Sequence, residues 1–242
     1  MSDDGAMRIH RALARAGVAS RRKAEELVAA GRVMVNGAPA RTGQTVHPVI
    51  DTITLDGRRV GAPVAPVWFV LHKPAGVLTS QGDPRGRRTV FDLLPHTPGL
   101  AYVGRLDYLT EGVLLFTTDG DAAHRLTHPS SEIERSYSAT VRGDALTAAR
   151  HARRGVMLED GAVHPVAVDA IALGEHLWRF DVTIREGRNR EVRRLCEALD
   201  LEVRRLVRTR FGPITLGALA PGDHRPLTAT EQRAIAALTE SA

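Results

Sequence analysis

Cysteine is all but missing: Cys196 is the single one in 242 residues. It allows no internal disulfide framework and no cysteine-based zinc cluster. Lysine is nearly as scarce, because Lys23 and Lys73 are the only two among 33 basic residues. That bias fits a GC-rich coding sequence, so the number of arginines alone does not argue for a polyanionic partner. No run of about 20 apolar residues occurs, which excludes a membrane-spanning helix. The opening residues, Met1-Ser2-Asp3-Asp4-Gly5, lack the apolar core of a secretory signal. Internal repeats and low-complexity tracts are missing too. These absences predict a cytoplasmic protein with no membrane partner.

What is present is the profile of a folded chain, 43% hydrophobic and 25% charged. The length allows one large domain or a small one joined to a medium one. The net charge of +5 is unevenly spread. Seven arginines and Lys23 face two glutamates within residues 7–41, and nine arginines face five acids within 185–210. Two basic islands on a mildly acidic body read as two surfaces for a phosphate backbone. Solvated helix faces in an arginine-rich chain read equally well, and charge alone does not separate the two.

Ile9, Ala12, Leu13 and Ala16 recur at helical spacing, so residues 8–16 form an amphipathic helix, with Gly17 as its stop. Ser20 is an N-cap for a second helix, with Ala24, Leu27 and Val28 on its apolar face and Gly31 past its end. Val33–Val35 reads as a strand closed by the hairpin pair Asn36-Gly37, and Thr52–Leu55 as another closed by Asp56-Gly57. Gly61–Pro66 is small, proline-rich and uncharged, the composition of a linker. Beyond it, strand-like runs recur at 67–71, 101–103, 113–117, 137–141, 166–171 and 178–184. Helix signals follow Asp119 and Asn189. Strands dominate without strict alternation, which predicts an α+β fold with a mostly antiparallel sheet. The expected domains are 1–60, a linker at 61–66, and 67–242.

The stretch Arg8 to Glu25, followed by Gly31-Arg32-Val33 and Val35-Asn36-Gly37, resembles the S4 RNA-binding domain. Four later segments resemble the ribosomal pseudouridine synthases of the RsuA/RluB type. They are Lys73-Pro74-Ala75-Gly76, Gly104-Arg105-Leu106-Asp107 running on to Gly112, Glu134-Arg135-Ser136-Tyr137, and Arg185-Glu186-Gly187-Arg188 running on to Leu195. They occur in the family's order, and the resemblance covers residues 7–228. His72 departs from the family's usual asparagine before Lys-Pro, and Asp223-His224-Arg225 stands where an aromatic residue is common.

The resemblance implies conversion of a uridine in RNA to pseudouridine, with no cofactor and no metal. Uracil must leave C1′ at N1, rotate, and rejoin through C5. A carboxylate suits the task, by attacking C1′ or C6 or by assisting removal of the C2′ proton. Asp107 is the matching residue, at a strand-to-loop position that holds a side chain at a cleft edge. An ionised carboxylate in a pocket is favoured by a neighbouring guanidinium, and Arg193 matches the family's basic residue. Arg193 then pairs with Asp107; its plain alternative is a surface pair with Glu197. Tyr137 is expected to stack on the base and to stand in reach for proton transfer, or else to be a core aromatic. By the same resemblance Arg105 helps extrude the uridine, and Val192 is the apolar wall against it. Lys73 is assigned to the substrate site as a phosphate contact, although a structural turn is the stronger local reading. Arg188 joins it there. Arg8, Arg11, Arg15, Arg21, Arg22 and Lys23 are the expected RNA-binding set. His72, His124 and His128 lack metal-ligand spacing, and Cys196 falls on an apolar helix face.

The expected partner is ribosomal RNA or a ribosomal subunit precursor, met by a monomer. Leu114 to Gly120, His128-Pro129-Ser130 and Gly155 to Gly161 resemble the large-subunit branch, which points to 23S rather than 16S rRNA. A non-catalytic S4-type binding or ribosome-assembly factor is the competing class, and it has no need of Asp107, Tyr137 and Arg193 together. A helix-turn-helix DNA regulator leaves the larger domain unexplained.

Overall fold

Ser20 accepts a hydrogen bond from the Lys23 amide and opens a helix where the cap pattern places it. The computed structural model describes residues 5–61 and 65–240. These divide into two units, Met1–Trp68 with His96–Ala101 and Thr117–Gly120 in one, and the remainder in the other. Of the expected linker, Ala62-Pro63-Val64 lies outside the described residues.

The chain begins with β1 (Met7–Arg8), α1 (Ile9–Arg15) and α2 (Arg21–Ala29). Short strands follow: β2 (Val33–Val35), β3 (Ala38–Pro39), β4 (Thr45–Val46), β5 (Ile53–Leu55) and β6 (Arg58–Arg59). β1 pairs with β4, and the order in the other small sheet is β3-β2-β5-β6. Asn36-Gly37 and Asp56-Gly57 all have positive φ, the backbone a two-residue hairpin turn demands. Ile9, Leu13, Leu27, Val33, Val46 and Ile53 form the core of this unit.

The rest of the chain runs through β7 (Trp68–Lys73), β8 (Ala101–Val103), β9 (Thr110–Thr117), α3 (Gly120–Thr127), β10 (Arg135–Arg142) and α4 (Ala145–Ala152). It continues with β11 (Val156–Leu158), β12 (Gly161–Val163), β13 (Ala167–Gly174), β14 (Leu177–Ile184) and α5 (Glu191–Ala198). Last come β15 (Glu202–Phe211), β16 (Ile214–Thr215), β17 (His224–Pro226) and α6 (Ala229–Glu240). A nine-stranded sheet has the order β13-β14-β10-β15-β9-β7-β17, with β16 on β15 and β8 on β9. β10 is antiparallel to β14 and to β15, whereas β9 lies parallel to β15. The fold is therefore mixed α and β with a largely antiparallel sheet, as the alternation of apolar runs predicts.

Alanines 145, 148, 149 and 152 of α4 and Val192, Leu195 and Cys196 of α5 belong to one core with Ala139, Phe180, Val182 and Leu206 of the sheet. Phe180 is fully buried there, and truncating such a side chain to alanine costs about 3–5 kcal/mol. The parallel seam joins Thr110, Glu111 and Gly112 to Leu206, Val207 and Arg208. Gly112 has φ +109°, and a Cβ there would sit 2.1 Å from the Arg208 carbonyl oxygen. Only glycine lets the two backbones approach this closely.

Candidate active site

Asp107 lies on the loop between β8 and β9, and hydrogen bonds hold that loop along its length. Thr79 Oγ1 donates to the Leu106 carbonyl at 2.9 Å. The Thr110 amide donates to the Asp107 carbonyl at 3.0 Å, and the Gly76 amide to that of Tyr108 at 2.8 Å. Lys73 Nζ donates to Pro74 at 3.0 Å, to Tyr108 at 3.3 Å and to Thr110 at 2.8 Å. The Lys73 side chain is fully buried. Burial pushes its ammonium down to about 8, against the opposing pull of the Asp107 and Glu111 carboxylates. With all three ammonium donors spent on carbonyls and no exposed surface, Lys73 braces the loop, the structural reading of its turn, and presents no free donor for the expected phosphate contact.

Asp107 opens into a cavity of about 440 Å³. Gly104, Arg105 and Leu106 line it from the same loop, Tyr137 from β10, residues 185–193 from the β14–α5 loop and α5, and Leu206, Arg208 and Phe211 from β15. Asp107, Tyr137, Arg193, Arg105, Val192 and Arg188 thus converge on one concave surface, though they are far apart in sequence. Tyr137 is half-buried and sits opposite Val182 and Arg208 in the sheet. Val192 is 4% exposed and forms apolar wall. Arg105 is exposed at the edge.

Arg193 is half-buried in the first turn of α5, and its Nη2 donates to the Leu109 carbonyl at 3.1 Å. Among the described ion pairs none joins it to Asp107, nor does it pair with Glu197, whose partner is Arg190 at 3.6 Å. Both sequence-level pairings of Arg193 give way to a contact with the backbone of the aspartate's own loop. Arg188 is similarly occupied by protein. It donates to Gly161 at 2.9 Å and Ala162 at 2.7 Å, and pairs with Glu186 and Asp160.

Among the lining residues to which the sequence assigns no role, Arg135, Arg208 and Phe211 form a cluster. Both arginines are buried, and each guanidinium carbon lies 5.2 Å from the centre of the Phe211 ring. Arg135 Nη1 donates to Ile133 at 2.9 Å, Arg185 at 2.7 Å and Glu186 at 3.1 Å, which fastens the 185–190 loop to β10. Arg208 Nε donates to Val113 at 2.8 Å across the parallel seam. Burial lowers the pKa of the Arg135 guanidinium and raises that of the Glu191 carboxyl. The floor of the cavity is thus rich in fixed positive charge, suited to an electron-rich or anionic guest.

In the first unit Arg21, Arg22 and Lys23 are exposed on α2. Arg21 meets His10 at 3.1 Å, Lys23 pairs with Glu26 at 2.7 Å, and Arg8 bonds the Gly43 carbonyl. Arg11 and Arg15 on α1 are half-buried.

A small helical and stranded module, which matches the S4 domain over residues 7–48, accompanies a larger domain that carries the cavity. That larger domain matches the RNA pseudouridylate synthases over residues 67–198, and the chain belongs to that family. A relative from Bacillus subtilis (strain 168), ribosomal large subunit pseudouridine synthase B, is 40% identical over 237 residues, 96% of this chain and 97% of its own length. A relative of the same name from Pasteurella multocida (strain Pm70) is 47% identical over 219 residues. That alignment covers 86% of this chain and 63% of the relative, which is therefore considerably longer. A solved structure described as a pseudouridylate synthase superposes with a TM-score of 0.63 at 26% identity, covering 95% of this chain and 99% of the other.

Proposed function

We propose that this chain isomerises a specific uridine of large-subunit ribosomal RNA to pseudouridine, with Asp107 as the catalytic carboxylate and no cofactor. The observation that carries the reading is the position of Asp107. It sits on a braced loop in a cavity whose other walls bring Tyr137, Val192 and Arg193 from distant parts of the chain. The names of the Bacillus and Pasteurella relatives support the choice of large-subunit rRNA.

In this reading the target uridine is extruded from its stack, helped by Arg105, and lies against Val192 with the Tyr137 ring over it. Asp107 attacks the sugar or the base, and the N1–C1′ bond breaks. The free uracil turns, a C5–C1′ bond forms, and the bond to Asp107 is given up. The C5 proton leaves and N1, freed from C1′, takes up a proton, so the sum is an isomerisation with no oxidant or reductant. The fixed guanidiniums of Arg135 and Arg208 stabilise negative charge on the detached uracil without reorganising. Residues 1–60, with Arg8, Arg11, Arg15, Arg21, Arg22 and Lys23, hold flanking RNA; 61–66 is the linker and 67–242 the catalytic domain. The protein acts as a monomer in the cytoplasm. The test is tritium release from large-subunit rRNA labelled at uridine C5. Release by the wild type supports the reading. No release from any large-subunit rRNA fragment or precursor particle overturns it.

A further inference from the structure

Among the described residues, eight buried side-chain polar atoms have no hydrogen-bond partner. Three of them, Thr110 Oγ1, Glu191 Oε1 and Arg208 Nη2, belong to residues that line the Asp107 cavity. Glu191 and Arg208 are each bonded through another atom. Glu191 Oε2 accepts from the Arg188 amide at 3.1 Å, and Arg208 Nε donates to Val113. Thr110 has a single polar side-chain atom, shut off from solvent and bonded to nothing, in a residue that is 2% exposed. Such a hydroxyl burdens the folded protein, and function is one reason to keep it.

The backbone of Thr110 is pinned, so the chain cannot move to give the hydroxyl a partner. Its amide donates to the Asp107 carbonyl at 3.0 Å, and its carbonyl accepts from Lys73 Nζ at 2.8 Å. It opens β9 and lies opposite Leu206 of β15. The freedom left is χ1, itself stiff in a β-branched side chain. The bond from the Thr110 amide closes a β-turn over Tyr108 and Leu109. Asp107 and Thr110 are therefore the two ends of one turn, whose Cα atoms lie within about 7 Å of each other. Asp107 is half-buried, and among the described residues its carboxylate also lacks a hydrogen-bond or ion-pair partner. The Lys73 ammonium acts on it through space, because its donors are on carbonyls. A donor without an acceptor and an acceptor without a donor thus share one turn.

We propose that Thr110 is a positioning residue for Asp107. When a uridine fills the cavity, the Asp107 carboxylate turns onto the Thr110 hydroxyl, which donates to one of its oxygens and leaves the other facing the guest. The incoming base displaces water from the carboxylate, and the hydroxyl is the donor that takes the place of that water. A hydrogen bond from a hydroxyl to a carboxylate is short and strong, which holds the reacting oxygen in line. Orientation of this kind raises turnover rather than affinity. The role rests on the reading of Asp107 as the catalytic carboxylate.

The experiment compares the full-length wild type, T110V, T110S and D107N in tritium release from C5-labelled large-subunit rRNA, with the melting temperature of each. Valine keeps the shape of threonine and removes the hydroxyl, whereas serine keeps the hydroxyl and removes the methyl group. T110V should lower kcat about 10- to 100-fold, the range for a hydrogen bond to a charged group, with KM unchanged. Its melting temperature should not fall, because in the free protein the hydroxyl has no partner to lose. T110S should recover most of the lost kcat. An unchanged kcat in T110V overturns the role. So does a loss that falls on KM, which would make the hydroxyl a contact to the guest. A lower melting temperature in T110V, or a T110S as slow as T110V, makes Thr110 a packing residue and overturns the role as well. Release that survives in D107N, or none by the wild type, overturns the reading of Asp107 itself, and the positioning role with it.

Discussion

Arg193 reaches across from α5 to hold the carbonyl oxygen of Leu109 at 3.1 Å, two residues beyond Asp107. The contact fixes the stretch just after the aspartate, where Lys73 holds the carbonyls on either side of it, those of Tyr108 and Thr110. Displacing a reacting group by about 1 Å costs on the order of 100-fold in rate. Arg193→Met should therefore lower kcat by about that factor, with RNA affinity changed little, because the guanidinium is turned onto protein. Single-turnover tritium release and filter binding separate the two effects. Lost affinity with intact turnover would show that Arg193 is an RNA contact.

Asp107→Asn keeps the shape and hydrogen-bonding capacity of the side chain and removes its charge. It should bind rRNA at least as tightly as the wild type, since an anion near a polyanion has gone. It should release no C5 tritium even at excess enzyme. Release at a substantial fraction of the wild-type rate would move the chemistry to another residue.

In the S4 module, Arg22 is exposed on α2. Arg22→Gln should weaken RNA binding modestly and lower the log–log salt slope by about 0.7–0.9, the contribution of a single phosphate contact. Affinity measured at several salt concentrations decides it, and a parallel downward shift with unchanged slope would argue against a phosphate contact.

Lys73 gives the protein a specific alkaline signature. Its pKa is about 8 in the folded state and 10.5 in the unfolded chain. Between those values the unfolded chain binds more protons, so stability rises with pH through that window. The cost of burying the ammonium, on the order of 3 kcal/mol, is fully present below pH 8 and vanishes above 10.5. In denaturant titrations the wild type should therefore gain on Lys73→Met as pH rises from 8 to 10.5. Lys73→Met should also lose activity through a loosened loop. A stability difference that stays flat with pH would mean the ammonium is not desolvated.

Much of this architecture is written locally. The Ser20 cap, the Asn36-Gly37 and Asp56-Gly57 turns, and the apolar runs that become β7, β9, β10 and β14 are legible because each depends on neighbours in sequence. α4 is not, since four small alanines give little contrast between its buried and exposed faces. β15 hides for a related reason. Five of its ten residues are charged, and the burial of Arg208 depends on Phe211 beside it and Val113 across the sheet. The same limit applies at the cavity. Asp107, Tyr137 and Arg193 stand in motifs that assign them a role, whereas Arg135, although it precedes Tyr137 in one of them, is one arginine in a chain full of them. What distinguishes it, three carbonyl acceptors drawn from two segments, exists only after the sheet has formed.

The parallel seam between β9 and β15 also sets a clock. Val113 and Arg208, bonded across it, are 95 positions apart. At roughly 5–20 residues per second, about 5–20 s of synthesis separates the appearance of one from the other. Until then Asp107 belongs to a half-made sheet whose cavity has neither its arginine floor nor its far wall. The nascent chain is thus catalytically silent for most of its time on the ribosome, and a transcript cut short before β15 yields an inert fragment rather than an unregulated one.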